Sequence, residues 1–337
     1  MDIKNALKLL VNRQDLTSQQ MTAVMQQIMT GKATPSQIGG FLIALQMKGE
    51  TITEITAAAQ VMRSLATPVD MGSDDLVDTC GTGGDGASIF NVSTASAFVV
   101  AAAGAKVAKH GNRSISSSSG SADVLETAGV NLDVSPQQVR NCINTVGVGF
   151  MFAQKHHDAM KHTIAPRREM AVRTIFNLLG PLTNPAKALH QVLGVFDKKW
   201  VEPMAYVLKA LGSKHVLVVH SKDGLDEISI GEQTYVAELK NNVVTCYEVC
   251  PEDFGLKREN VSQLAIQSAA ESLAIINSIF DGELGPARDI VVLNAGAAIY
   301  AADLASSLAK GIEQAQTLID NGQAKQKLQD FISCSNT

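Results

Sequence analysis

From residue 76 onward the chain alternates short β-like runs with helical ones, and this alternation limits the fold more than any other feature. The runs LVDTC (76–80), AKVAKH (105–110), HQVLGVF (190–196), KHVLVVH (214–220) and DIVVLNA (289–295) read as strands. STASAFVVAAAGA from Ser93 and NVSQLAIQSAAESLAIINSIF from Asn260 read as helices between them. Such alternation predicts an α/β fold with a central, mostly parallel sheet flanked by helices. The first 67 residues read as helices only. TSQQ (Thr17–Gln20) and TITE (Thr51–Glu54) have capping-box spacing, a hydroxyl with Gln or Glu three residues on. Ile3, Leu7, Leu10 and Val11, then Met21, Val24, Met25 and Ile28, recur at helical intervals. The pattern breaks at SLATPVDMGS (64–73), which holds Pro68 and Gly72. A small all-helical N-terminal domain is expected to precede a larger α/β domain.

The 337 residues, 45% of them hydrophobic, suffice for a sizeable core and about two domains. A net charge of -5 gives no global basic field to draw the chain to nucleic acid or an anionic membrane. No apolar run reaches the ~18 residues of a membrane span. The start, MDIKNALKLLVNRQ, has charges within an amphipathic pattern, unlike a signal peptide. Five cysteines, an odd number without CxxC spacing, read as free thiols in a reducing compartment, hence a cytoplasmic location. Cys246 and Cys250 lack the second ligand pair of a zinc site. His156, His157 and His162 read as loop or pocket histidines, since no Cys or acid stands at ligand spacing.

DTCGTGGDGASIFNVSTASAF leaves the first strand and opens a helix. Gly81, Gly83 and Gly86 fit GxGxxG, but the acid needed about 20 residues on for a dinucleotide ribose is missing from AGAKVAKHG. No Walker sequence is present either. Glycines still let a backbone approach a ligand, and a helix start at Asn91, Ser93 and Thr94 favours anions. Phosphate binding and a simple capped turn both remain open on this loop alone. In KHGNRSISSSSGSADVLE (109–126), six of the eight residues from Ser114 to Ser121 are serine. The run follows a strand and enters a helix, so it reads as a loop bringing Lys109, His110, Asn112 and Arg113 to the strand's carboxyl end. Open parallel sheets bind ligands there, and cations with hydroxyl and amide donors suit pyrophosphate, with a solvated loop as the alternative on this stretch alone. Asp226 and Glu227 stand together beyond KHVLVVH, as solvated acids or as ligands of a hard cation such as magnesium. Arg167, Arg168 and Arg173 precede the glycine-proline region FNLLGPLTNP, and one of them is a candidate carboxylate fork.

Taken together, GTGGD (81–85), NVSTASAF (91–98), KHGNRS (109–114), GSADVLE (120–126), FNLLGPLTNP (176–185) and the acidic pair at 226–227 resemble the anthranilate phosphoribosyltransferase family over essentially the whole chain. The resemblance implies a helical domain of residues 1–67 plus a returning segment near 165–185, forming a homodimer. The α/β domain would take 70–164 and 186–337. The implied reaction joins the amino group of anthranilate to the ribose of phosphoribosyl pyrophosphate, in tryptophan biosynthesis. By the same resemblance, donor contacts fall on Gly81, Gly84, Asp85, Ile89, Asn91, Val92, Ser93, Thr94, Lys109, His110, Gly111, Asn112, Arg113, Ser114, Ile115, Ser116, Ser117 and Ser121. Ser93, Asp226 and Glu227 would ligate magnesium, two ions per site. Gly81, Asn112 and Arg167 would meet anthranilate, with Arg167 on its carboxylate. Position 89 is Ile where family members often carry a hydroxyl, so only its backbone is left for a hydrogen bond. No residue is assigned as a general base. Rival readings are a pyrimidine nucleoside phosphorylase and a non-catalytic nucleic-acid-binding homologue. The intact KHGNRS speaks against the first, and the charge of -5 against the second.

Overall fold

The computed structural model of the chain describes residues 1–73, 75–84, 86–114 and 118–337. Four helices come first: α1 (Ile3–Val11), α2 (Ser18–Met29), α3 (Pro35–Lys48) and α4 (Ile52–Leu65). Thr17, Thr34 and Thr51 close capping boxes with Gln20, Gln37 and Glu54. Each such cap stabilises its helix by on the order of 1 kcal/mol. Glu54 does more than cap. It is fully buried, accepts from Leu16 N at 2.9 Å and pairs with Lys48 Nζ at 2.9 Å, tying the loop before α2, α3 and α4 together.

The chain then runs through β1 (Leu76–Gly81), α5 (Val92–Ala102), β2 (Lys106–Gly111), α6 (Ser121–Thr127), α7 (Pro136–Val146), β3 (Val148–Phe152) and the short α8 (Ala153–His156). Helices α9 (Lys161–Met170) and α10 (Ile175–Leu179) return to the N-terminal bundle, α9 against α2 and α3 and α10 against α3 and α4. Next come β4 (His190–Gly194), α11 (Val201–Ala210), β5 (His215–Ser221), β6 (Thr234–Lys240) and β7 (Val243–Val249). Helices α12 (Ala269–Phe280), α13 (Pro286–Ala301), α14 (Leu308–Asp320) and α15 (Gln323–Ser335) complete the chain.

Among the described residues the strands form one seven-stranded sheet in the order β3-β2-β1-β4-β5-β6-β7. The first five are parallel; β6 and β7 add an antiparallel hairpin at one edge. Alternation along each strand sends side chains to opposite faces. Leu217 and Val219 join a core with α5 and α12–α15, while Val216 and Val218 join one shared by α11 and the helical bundle. The bundle and one face of the sheet therefore have a common core. Strand order reverses at β1, with β2 on one side and β4 on the other, which opens a crevice at the carboxyl ends of these strands.

DIVVLNA is not a strand. It lies inside α13, whose residues from Ile290 to Ile299 are all buried. A short apolar run cannot distinguish a buried strand from a buried helix. Here Pro286 at the first turn and the following GAAIYA extend it to 16 helical residues. The expected helix from Asn260 starts only at α12, because Leu264–Ile266 pairs with Ser88–Phe90 instead. Strands β3, β6 and β7 have no counterpart among the runs that read as strands. Among the described residues no helix is long and apolar enough to cross a membrane.

The amino end of β5 is secured away from that crevice. Glu238 on β6 accepts from His215 Nε2 at 3.1 Å, Tyr247 at 2.9 Å and Tyr300 of α13 at 2.8 Å. Burial raises its pKa, but these hydrogen bonds outweigh burial and bring it from 4.5 down to about 2. A carboxyl depressed on folding stabilises the fold above its unfolded pKa and loses that contribution as pH falls toward the folded one. The urea midpoint of the protein should therefore fall between pH 4.5 and pH 2 more steeply than that of Glu238→Gln. Parallel profiles would remove Glu238 from this role.

Candidate active site

At its carboxyl end β1 runs into a turn in which Gly83 and Gly84 take left-handed φ values of 63° and 78°. Beside it, Gly81 of β1 pairs in register with Gly194 of β4. The loop after β5 crosses over this pair. A Cβ at Gly81 would overlap the Asp226 carboxylate, and one at Gly194 would overlap the Asp226 carbonyl. With no side chain at either position, Asp226 Oδ2 reaches Gly83 N–H at 2.7 Å. Asn294 of α13 fixes the same loop one residue beyond Glu227. Its Oδ1 accepts from Ile228 N, and its Nδ2 donates to Ile228 O, both at 2.9 Å.

Lys109 rises from β2 beneath the acids, almost wholly buried. Its ammonium donates to Thr79 O and to Ser93 Oγ, the latter at 3.2 Å. Burial pulls its pKa below the usual lysine value, while Asp78, Cys80 and Glu227 push the other way. Asp78, fully buried, accepts from His110 N at 3.1 Å and from Asn184 Nδ2 at 2.8 Å, so the ends of β1 and β2 are locked to the FNLLGPLTNP region. His110 packs its ring 5.1 Å from that of His157. Burial drives His110 well below the ordinary imidazole pKa and His157 down to about 4, so both are neutral at neutral pH.

The serine loop is closed at its neck. Asp123 of α6 accepts from Ser114 N at 3.0 Å and Gly120 N at 2.9 Å and pairs with Arg113 at 3.1 Å. Arg113 also meets Glu126 at 2.7 Å. Asn91, expected at a helix start, sits at the N-cap of α5 but does not cap it. Its side chain instead accepts from Ser119 Oγ and from Ser272 Oγ of α12, both at 2.8 Å, joining the serine loop to the last helices.

These elements enclose a cavity of about 330 Å³. Of the residues singled out from the sequence it brings together Gly81, Gly84, Ile89, Asn91, Val92, Ser93, Lys109, His110, Gly111, Asn112, Arg113, Ser114, Ser121, Asp226 and Glu227. Thr94 lies behind the wall, buried, with no partner for its hydroxyl among the described residues. Arg167 stands outside, on α9, with its guanidinium 5.1 Å from the Phe176 ring. Arg173 is the arginine at the glycine turn: it donates to Gly84 O and lies 4.5 Å from the Phe196 ring. Asp85, Ile115, Ser116 and Ser117 lie outside the described residues. Ile89 forms an isolated antiparallel bridge with Ala265, whose flanking hydrogen bonds come from Phe90 and Ile266. Its own N–H and C=O are thereby turned away from that bridge. Sequence reasoning passed over Asn177 in the wall and Gly194, Asn294, Asp123 and Ser272 behind it. Only Asp123 had an available signal, an acid three residues after a glycine at a helix start.

Residues 73–325 match the family described as glycosyl transferase family, a/b domain, and residues 4–66 match its helical bundle domain. The chain is 62% identical over 333 residues to the anthranilate phosphoribosyltransferase of Thioalkalivibrio sulfidiphilus, covering 99% of this chain and 98% of that protein. The crystal structure of anthranilate phosphoribosyltransferase from Thermus thermophilus superposes with a TM-score of 0.94 at 41% identity, over 98% of this chain and 99% of that one. The Saccharomyces cerevisiae enzyme in complex with phosphoribosyl pyrophosphate and magnesium gives 0.90 at 26% identity, over 99% of this chain and 98% of that one.

The neck predicts local rather than global consequences for Asp123→Ala. Trypsin should cut after Arg113 at least ~10-fold faster, while the melting temperature stays within about 3 °C. Unchanged cleavage would show that the loop does not depend on Asp123.

Proposed function

The chain belongs to the anthranilate phosphoribosyltransferase family, and from that premise we propose that the cavity at the end of β1 is where phosphoribosyl pyrophosphate and anthranilate react. The 5-phosphoribosyl group passes to the amino group of anthranilate, giving N-(5-phosphoribosyl)anthranilate and pyrophosphate, a step of tryptophan biosynthesis. The observation that carries this reading is the convergence of a glycine turn, a buried lysine and two adjacent carboxylates on one cavity.

The donor set fits magnesium. Two carboxylates and a hydroxyl are hard oxygen ligands, and magnesium takes one or two carboxylates with the rest of its shell from phosphates and water. Among the described residues no group of three or more His, Cys, Asp or Glu offers a rival metal site. Asp226, Glu227 and Ser93 would hold it, as two ions in this proposal. Bound magnesium neutralises charge on the donor phosphates and on the departing pyrophosphate.

Cleavage at the ribose C1 builds positive charge on the sugar and negative charge on pyrophosphate. Lys109 holds a charge compensating the latter in a site where burial weakens competition from water. Neutral His110 adds no cation to the wall beyond Lys109 and Arg113. The end of β2 from Lys109, the residues after it to Ser114, and Ser121 contact pyrophosphate and ribose, and Ile89 contributes only backbone. Asn112 and the Gly81 backbone orient anthranilate, whose carboxylate pairs with Arg167. That pairing requires the Arg167 guanidinium to leave the Phe176 ring for the cavity. Anthranilate carries a neutral amine, so alignment with C1 supplies much of the catalysis and no base is assigned. The enzyme works in the cytoplasm as a homodimer formed through residues 1–67 and the segment near 165–185.

Anthranilate fluorescence with purified protein, phosphoribosyl pyrophosphate and magnesium tests the reading. Signal should fall only with donor and metal together and persist in EDTA. Asp226→Asn and Glu227→Gln should each raise half-saturating magnesium at least ~10-fold, and Lys109→Met should lower kcat/KM about 10²-fold or more. Folded protein that leaves the fluorescence intact, yet cleaves thymidine or uridine in phosphate, would replace this reading with the phosphorylase one.

A further inference from the structure

Cys142 on α7 and Cys334 on α15 are free thiols whose Sγ atoms stand 3.0 Å apart. Bonded sulfurs are about 2.05 Å apart, so only about 1 Å separates this contact from a disulfide. The two cysteines are 192 positions apart in sequence, so the tertiary structure alone brings them together. Several contacts fix the helices around them. Lys327 Nζ donates to Val146 O at 2.6 Å, Asn336 Nδ2 donates to Gly129 O at 2.9 Å, and Ser335 Oγ accepts from Asn131 N at 3.1 Å. Phe331 of α15 packs its ring 6.0 Å from Phe98 of α5. Cys142 is buried, whereas Cys334 is partly open to solvent, so a small oxidant has one sulfur to reach.

We propose that Cys142 and Cys334 form a reversible dithiol–disulfide pair, closed by a low-molecular-weight disulfide, that staples the C-terminal helix to α7. The Cys334 thiolate attacks one sulfur of the small disulfide and displaces a thiolate, which takes up a proton. The resulting mixed disulfide on Cys334 is attacked by the Cys142 thiolate, and the second small thiolate leaves and is protonated. The two protein thiols lose two electrons and two protons, and the small disulfide departs as two thiols. The order follows from the surroundings. Burial first, then the Cys334 thiol, holds the Cys142 thiol up at about 12, so it does not attack first. Once Cys334 is capped, burial alone remains to oppose Cys142. The closed bridge constrains a loop of nearly two hundred residues in the unfolded chain. It also tethers α15, which packs on α5, the helix whose first residues line the cavity.

The test uses the full chain in graded mixtures of oxidised and reduced glutathione. Samples are alkylated and then digested with trypsin without reduction. The expected product is the peptide 141–155 joined to 328–337, released by dithiothreitol. The melting temperature should rise by about 4 °C or more on oxidation. Cys334→Ser, altered at the partly exposed partner, should fold, give no linked peptide and show no rise. Separate glutathione adducts on the two cysteines, or linkage of either to Cys80, Cys246 or Cys250, would overturn the proposal. So would a linked peptide formed only after unfolding.

Discussion

Asp226 can lie across the ends of β1 and β4 because neither strand carries a side chain where they meet. Gly81 and Gly194 face each other in the sheet, and the loop after β5 fills the space two Cβ atoms would take. Its carboxylate then holds the Gly83 amide, which sets the glycine turn against the acidic pair. Asn294 holds the loop from behind, through both backbone groups of Ile228. The switch in strand order supplies the crevice, and the paired glycines let an acidic loop enter it.

Charge is handled in two layers. The deeper one is buried: Lys109, Asp78 and the neutral His110–His157 pair are shielded from solvent, and the hydrogen bonds of Lys109 and Asp78 run to backbone, Thr79, Cys80, Ser93 and Asn184. Desolvation opposes the charged form of Lys109, and nearby acids offset part of that cost. The outer layer is a loop whose neck is tied by Asp123 and by the Asn91–Ser119–Ser272 junction. A rigid cation beneath a loop held at its base suits a ligand that must be enclosed and later released.

The sequence carried the large divisions well. An N-terminal run of helices, a largely parallel sheet and loops at the strand ends all follow from periodicity and turn chemistry. The errors have local causes. DIVVLNA fits a strand as well as a helix because β-branched residues in a short apolar run suit both, and the helix is set by Pro286, the residues after Ala295 and the packing of α13 between the sheet and α14. The hairpin of β6 and β7 was missed although Asn241 and Asn242, both with positive φ, form its tight turn. Strand β3, VGFMF, carries no polar alternation because every residue is buried. In the site, residues with their own chemistry were legible: Lys109, Ser93, Asp226 and Glu227. Gly194, Asn294 and Ser272 were not, since their roles exist only through contacts between segments remote in sequence. Arg173, rather than Arg167, reaches the glycine turn, and spacing within a run of arginines could not have distinguished them.

The central claim is that the glycine pair positions the acidic loop, and Gly194→Ala tests it most directly. The measurement is magnesium titration of the transfer reaction, alongside circular dichroism to confirm the fold. A folded variant whose half-saturating magnesium rises at least ~10-fold, with kcat/KM for the donor lowered in step, is the predicted result. A folded variant with an unchanged magnesium titration would contradict the account, because the Asp226 loop could then be displaced without consequence.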